Sequence, residues 1–258
     1  MSFILSEIKD QVMIITLNRA DKFNSFNREM ALQLQSILDQ ASSDPQVRAI
    51  VLTGSGKAFC AGQDLAEAID NNGPGISKIV EEHYNPIVSR LRAIEKPVIA
   101  AVNGVAAGAG ANIALSCDIV LATASTSFIQ AFSKIGLVPD SGGTFFLPRL
   151  IGFQRASALM MTGDKVTAAD AQHMGMIYKA LPDETFMEEV MKLANTMAAM
   201  PTKALGLTKR LLNESASNTH QQQLALEGKL QVESASTVDY NEGVNAFLEK
   251  RKPVFKGE

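Results

Sequence analysis

The sequence predicts an α/β fold over about the first two-thirds of the chain, followed by helices alone. Three features predict it. Strand-like apolar runs alternate with helical periodicity as far as residues 177–181. No strand signal of comparable strength recurs after them. At 258 residues, 46% hydrophobic and 20% charged, the chain can bury a full core as one domain, with room for a small appendage.

Residues 4–8 and 12–17 read as two strands, with Asp10-Gln11 as the hairpin turn between them. Residues 18–24 are polar and irregular. Ser25 is placed to cap a helix whose apolar Met30, Leu34, Ile37, Leu38 and Ala41 recur at helical spacing, and Asp44-Pro45 ends it. Residues 49–53 read as a buried strand. The following Gly54-Ser55-Gly56-Lys57 lacks the G-x-x-x-x-G-K-[ST] spacing of a phosphate loop, which rejects a Walker-type nucleotide site. The turn around Gly62-Gln63-Asp64 is a place where free backbone N–H groups can collect. Residues 65–75 carry Gly, Pro and Asn and read as a mobile flap over whatever binds there; a helix over 76–94 follows.

The chain is organised around residues 96–112. They open as a buried strand over 97–102 and continue as ten residues, 103–112, in which no side chain between Asn103 and Asn112 is larger than Val. A helix grows from Ala109, and small side chains leave its first N–H groups unshielded. Those groups have no intrahelical partner, and the helix dipole adds partial positive charge, so the terminus suits a phosphate or an oxyanion. Equally, Gly and Ala there permit a helix to pack closely on its strand. Residues 118–122 and 127–129 add two short strands. Asp140 then stands before Ser141-Gly142-Gly143 and a helical run, either as that helix's N-cap or as a functional acid. Helical patterns fill 155–162, 167–174, 183–200, 201–215, 224–236 and 241–249. Met187, Met191, Met197 and Met200 suit an adaptable core or a subunit contact.

A net charge of −3 without a basic stripe argues against a nucleic-acid surface. No apolar run reaches membrane-span length, and residues 1–7 lack the features of a signal peptide, so no membrane partner is expected. Two cysteines, Cys60 and Cys117, fit a reducing cytoplasm, and three scattered histidines make a metal site unexpected.

Together these residues resemble the crotonase family, the enoyl-CoA hydratase/isomerase superfamily. Four blocks in order carry the resemblance, which spans essentially the whole chain. They are Leu17-Asn18-Arg19 with Asn24-Ser25-Phe26, then Lys57-Ala58-Phe59-Cys60-Ala61-Gly62-Gln63-Asp64-Leu65, then the Lys96-Pro97 strand through Asn103-Gly104, and Pro139-Asp140-Ser141-Gly142-Gly143-Thr144. The resemblance implies a crotonase-like spiral of ββα units over 1–200 and a C-terminal helical region over 201–258 used in trimerisation, with trimers often paired into hexamers. It also implies a coenzyme A thioester as substrate; CoA is then part of the substrate, and no separate cofactor and no metal is expected.

In the family, two backbone N–H groups bind the thioester oxygen. The matching positions are Gln63 and Ala109, used through the main chain, so their side chains are expected to be weakly constrained. The resemblance sets Ala61, Gly62, Asp64, Gly108 and Phe132 along the substrate and makes Lys22 and Lys57 candidates for the CoA phosphates. The tail with Lys250, Arg251, Lys252 and Phe255 is a further candidate for the nucleotide end. Hydratases of the family use two glutamates to place and activate water. This chain has Asn112 where the first would lie and Phe132 where the second would lie, which disfavours hydration. Asp140 stands where several isomerases and dehalogenases of the family place an acid. Beside Phe132, Val138 and Pro139 its carboxyl is expected to be partly desolvated and therefore more basic. Asn112 is expected either to orient substrate or water, or simply to finish the first turn of its helix.

A narrower likeness rests on Tyr84-Asn85-Pro86, on residues 103–111 and on residues 131–140. It is to the branch of the family that turns a ring epoxide into an oxepin in aerobic phenylacetate degradation and also moves double bonds in enoyl-CoA chains. The expected activity is therefore acyl-CoA isomerisation. A hydratase or thioester hydrolase of the same family, and a non-catalytic acyl-CoA-binding subunit, are the alternatives.

Overall fold

The computed structural model describes residues 2–258. Strands β1 (Ile4–Lys9) and β2 (Val12–Leu17) pair antiparallel through a tight turn at Asp10 and Gln11, both with positive φ. Three times the chain then lays down a strand in a larger sheet, turns a corner into a smaller sheet, and returns through helices. β3 (Ala49–Gly54) leads to β4 (Ala58–Cys60), β5 (Val98–Val102) to β6 (Val105–Ala107), and β7 (Ile119–Thr123) to β8 (Ser127–Ile129). β9 (Lys165–Thr167) and β10 (Lys179–Leu181) complete the two sheets. The six-stranded sheet runs β1-β2-β3-β5-β7-β10 and is parallel from β2 onward; the four-stranded sheet runs β4-β6-β8-β9, with β9 antiparallel. This repeated strand-strand-helix path is the spiral of ββα units that the sequence blocks imply.

Strands β2, β3, β5 and β7 lack polar alternation because both faces of the larger sheet are covered there, whereas edge strand β1 is exposed after Ile4. Ile15, Leu17, Ile50, Leu52, Val98 and Ala100 face the main core, with Met30, Leu34 and Leu38 of helix Arg28–Ser43. The intervening Val12, Val51, Ile99, Ala101 and Leu121 face a second core, closed by Phe186, Val190, Ala194 and Ala198 of helix Phe186–Ala198. That helical spacing of one residue in four gives an apolar stripe on one face.

Local chemistry moves several boundaries. Ser25 is not the cap of helix Arg28–Ser43: Asn27 is, and its side chain accepts the Met30 N–H. Asp140 does not cap helix Gly143–Ile151, whose cap position is Gly142. The flap segment is not without structure, because Asp64 caps a short helix Leu65–Ala68 and a second, Gly75–Lys78, leads into a π-helical turn Ile79–Tyr84 and helix Asn85–Ala93. Helix His220–Ala235 begins before residue 224, since Thr219 and Gln222 form a reciprocal capping box. Thr237 likewise starts helix Val238–Leu248 early.

After Pro201 the regular structure is all helical, followed by an extended strap over 251–258, and it is anchored to the core by charge as well as packing. Lys209 of helix Thr202–Glu214 is buried and donates to the Leu91 carbonyl at 2.7 Å and to Asp118 Oδ2 at 2.8 Å. Arg48 donates to Thr202 Oγ1, the Met200 carbonyl and the Phe255 carbonyl, which ties the C-terminal strap to the start of β3. The outer faces of these helices leave Leu212, Leu224, Val232, Phe247 and Leu248 exposed. Among the described residues, no helix is long and apolar enough to cross a membrane.

Candidate active site

A cleft of about 230 Å³ opens where the C-terminal ends of β4 and β6 meet. Its floor is Ala61-Gly62-Gln63 after β4 and Gly108-Ala109 after β6. One wall is helical, with Leu65, Ala68, Ile76, Ile79, Val80 and Tyr84; the other comprises Ala131, Phe132, Lys134, Ile135, Leu137 and Asp140. The π-helical turn widens the backbone between Ile79 and Tyr84, a device that recurs at functional sites.

The floor is built from two matching turns. Gly62 has φ +95 and Gly108 has φ +52 with ψ −125, conformations that glycine alone adopts without strain. Each turns the peptide that follows it. At Gly62 a β-carbon would stand 3.0 Å from the Ala107 carbonyl oxygen and 3.5 Å from the Ala109 nitrogen, so the two turns lie against each other. The neighbouring donors are committed elsewhere: Gly108 N–H to the Ile129 carbonyl, and Asp64 N–H to the Phe26 carbonyl. Among the described residues, the N–H groups of Gln63 and Ala109 meet no acceptor. Two unsatisfied donors beside a cleft floor are an arrangement suited to one oxygen that gains charge. Helix Ala109–Leu115 has only seven residues, so these two N–H groups count for more than its dipole.

The first two sequence blocks form the clamp that holds this floor. Arg19 pairs with Asp64 at 2.6 Å and donates to the Ser25 carbonyl at 2.7 Å. Asn24 accepts the Arg19 N–H and donates to the Ser55 and Ala58 carbonyls. Burial pushes the Asp64 carboxyl up, but the Arg19 guanidinium outweighs it and holds the group below the usual carboxylate range. Asp64 therefore faces Arg19 and its own helix, and it does not line the cleft. The Gln63 side chain is tied as well: its Oε1 accepts from the Tyr84 hydroxyl at 2.7 Å, and its Nε2 donates to Glu67 at 3.0 Å. Its identity is thus constrained, contrary to the expectation for a residue used through its main chain.

Asp140 is the one carboxylate lining the cleft among the described residues. Burial raises its pKa above the ordinary value, and the Ser141 hydroxyl, 2.8 Å from Oδ1, opposes that rise. The apolar surroundings differ from those expected, because Val138 is 82% exposed and points outward. Leu137, Phe132 and the helical wall supply them instead. Phe132 is buried against Gly108, where a β-carbon would lie 3.8 Å from its ring. Asn112 is fully buried outside the cleft; its Nδ2 donates to the Asp140 carbonyl at 2.9 Å and its Oδ1 accepts from Gln130 at 2.8 Å. Both ends of its amide hold protein, so it reaches substrate only through Asp140.

Lys22 and Lys57 are exposed and neither lines the cleft. Lys134 does, though in sequence it looks like any surface lysine, and Tyr84 lines the cleft too. In the sequence Tyr84 belongs to the Tyr84-Asn85-Pro86 run and has no chemistry of its own. Burial holds its phenol well above the usual value, so it stays protonated and donates to Gln63. Among the described residues, no group of His, Cys, Asp or Glu side chains is arranged to hold a metal ion.

A family model for enoyl-CoA hydratase/isomerase matches residues 7–258. The chain belongs to the enoyl-CoA hydratase/isomerase family. Within it, the 1,2-epoxyphenylacetyl-CoA isomerase of Escherichia coli (strain K12) is 48% identical over 261 residues, covering 100% of both chains. The 2,3-dehydroadipyl-CoA hydratase of the same organism is 35% identical over 257 residues, again covering 100% of both. A solved enoyl-CoA hydratase from Bacillus anthracis superposes with a TM-score of 0.92 at 33% identity, covering 99% of this chain and 100% of that one. The chain is thus an enzyme of a family that holds both isomerases and hydratases, and the cleft side chains are what must distinguish them.

Proposed function

We propose that this enoyl-CoA hydratase/isomerase family member is an acyl-CoA isomerase in which Asp140 is the acid–base group. The N–H groups of Gln63 and Ala109 hold the thioester oxygen. The Asp140 carboxylate removes a proton from the carbon next to the thioester. The electron pair moves into the carbonyl, and the resulting enolate oxygen is stabilised by the two amides. Protonated Asp140 then returns the proton to a different carbon, and the double bond has moved. No group beyond the thioester and these residues is needed.

The observation that carries this reading is the single carboxylate lining the cleft among the described residues. Hydration asks for a second polar group to hold the attacking water. At the two positions in question Phe132 offers a ring, and the Asn112 amide is engaged with Asp140 and Gln130. The likeness to the Escherichia coli 1,2-epoxyphenylacetyl-CoA isomerase supports a ring epoxide of phenylacetyl-CoA as the acyl group. Exposed apolar side chains on the C-terminal helices support a homotrimer or a hexamer of paired trimers. The test is a panel of CoA thioesters carrying the ring epoxide, a 3-enoyl chain and a 2-enoyl chain, with product identification. Ring opening and a shifted double bond are expected. Efficient water addition to the 2-enoyl thioester would instead assign the chain to the hydratases.

A further inference from the structure

We propose that Ser141 is a positioning residue for Asp140: its hydroxyl holds one carboxylate oxygen so that the other is presented to the cleft. The inference rests on the reading of Asp140 as the base and adds to it a residue that touches no substrate.

The backbone of Asp140 is pinned first. Its carbonyl accepts two hydrogen bonds, from Gly143 N–H at 2.9 Å and from Asn112 Nδ2 at 2.9 Å. Gln130 in turn holds the Asn112 oxygen. Gly143 packs so closely on that amide that a β-carbon would stand 2.3 Å from Nδ2. With the main chain fixed, the side-chain torsions alone decide where the carboxylate points. The Ser141 hydroxyl, 2.8 Å from Oδ1, is the side-chain donor that holds them, beside the backbone N–H of Asp140 itself.

The backbone of Ser141 shows that this hydroxyl carries a penalty. Ser141 is 1% exposed and has φ +52, in the left-handed region where a side chain is strained. The next two residues of the same bend are glycines, and Gly142 has φ +75. Glycine would relieve the bend at 141 too. A serine there retains strain, and the hydrogen bond its side chain makes is to the Asp140 carboxylate. A hydroxyl donating to a carboxylate favours the ionised form, and so counters the burial of Asp140. The other ionisable groups that line the cleft with Asp140 are Tyr84 and Lys134, and Cys60 and Glu67 stand near Tyr84. Burial keeps the Tyr84 phenol and the Cys60 thiol neutral, the latter pushed up to about 12. Glu67 and Lys134 are common to wild type and variant, so a difference between the two reports on Ser141.

The experiment compares Ser141→Gly, which relieves the strain, and Ser141→Ala, which keeps it, with wild type. In protein labelled with 13C at aspartate carboxyls, the Asp140 resonance is identified by its loss in Asp140→Asn and titrated. The expected result is a midpoint moved to higher pH in both variants, with the acidic limb of kcat/KM for a 3-enoyl-CoA moved the same way. Ser141→Gly should melt no lower than wild type. A midpoint and limb unchanged in both variants would overturn the inference, leaving Ser141 a bend residue only. Full turnover by Asp140→Asn would instead sink the base assignment, while the resonance midpoint still reports on the hydroxyl.

Discussion

Asp140 is a residue whose environment works against its folded stability. Burial raises its pKa above the ordinary carboxylate value. A carboxyl with a raised folded pKa contributes stability that is fully present below the unfolded pKa and is lost as pH rises through the folded one. At neutral pH the charged group is therefore a burden on the fold, as acids kept for chemistry commonly are. Asp140→Asn keeps the shape and removes the charge, so it should melt above wild type near pH ~7.5, with the gain shrinking toward pH ~3.5, around the ordinary carboxylate range. Thermal melts across that range check the sign. Much at this scale was legible in the sequence: the lone acid, the phenyl ring at 132 and the amide at 112 are residue types, and types need no coordinates. What the Asn112 amide touches, and that Gly142 rather than Asp140 sits at the helix cap, depend on side-chain torsions and a left-handed bend that no spacing encodes.

At the scale of elements, the site is two glycine turns set against each other at the ends of β4 and β6. Gly108 holds φ +52 and ψ −125, which an L-residue reaches only with strain. Gly108→Ala should relax that turn and swing the Ala109 N–H away from its partner. Loss of one oxyanion donor lowers kcat by about 10²–10³-fold. Steady-state kinetics on a 3-enoyl-CoA should show that loss with thioester binding largely kept. The glycines and the donors after them stood out in the sequence, as did the long strands and helices with clear periods. Of the three-residue strands, β8 and β10 did show and β4, β6 and β9 did not: β6 lies inside the glycine–alanine run, β4 sits between two glycine turns, and β9 has a single apolar residue, Val166. The Arg19–Asp64 clamp joins residues 45 apart in sequence, and Asp64 consequently read as a substrate contact rather than as a support.

At the scale of the molecule, the spiral buries the central strands of the larger sheet on both faces and leaves its unfinished surface on the C-terminal helices. Phe247 is 83% exposed and Leu248 71% exposed, beside a groove lined by Pro201, Tyr240, Val244 and Phe255. Faces of this kind mark association surfaces. Sedimentation of wild type should give three or six chains, and Phe247→Glu should shift it toward smaller species while the isolated chain keeps its helicity. The helical ending of the chain was legible from the absence of strand signals after residue 181. Its anchoring through Arg48 and Lys209 was not, because a buried cation satisfied by distant carbonyls looks in sequence like any surface lysine or arginine.

The central claim, that one carboxylate facing two free amides moves the proton, is met most directly by the turnover of Asp140→Asn on a 3-enoyl-CoA, measured beside its affinity for an unreactive acyl-CoA. A fall in kcat of about 10²–10⁴-fold with affinity retained is the predicted result, the range expected for a lost acid–base group. Turnover at the wild-type rate would contradict it.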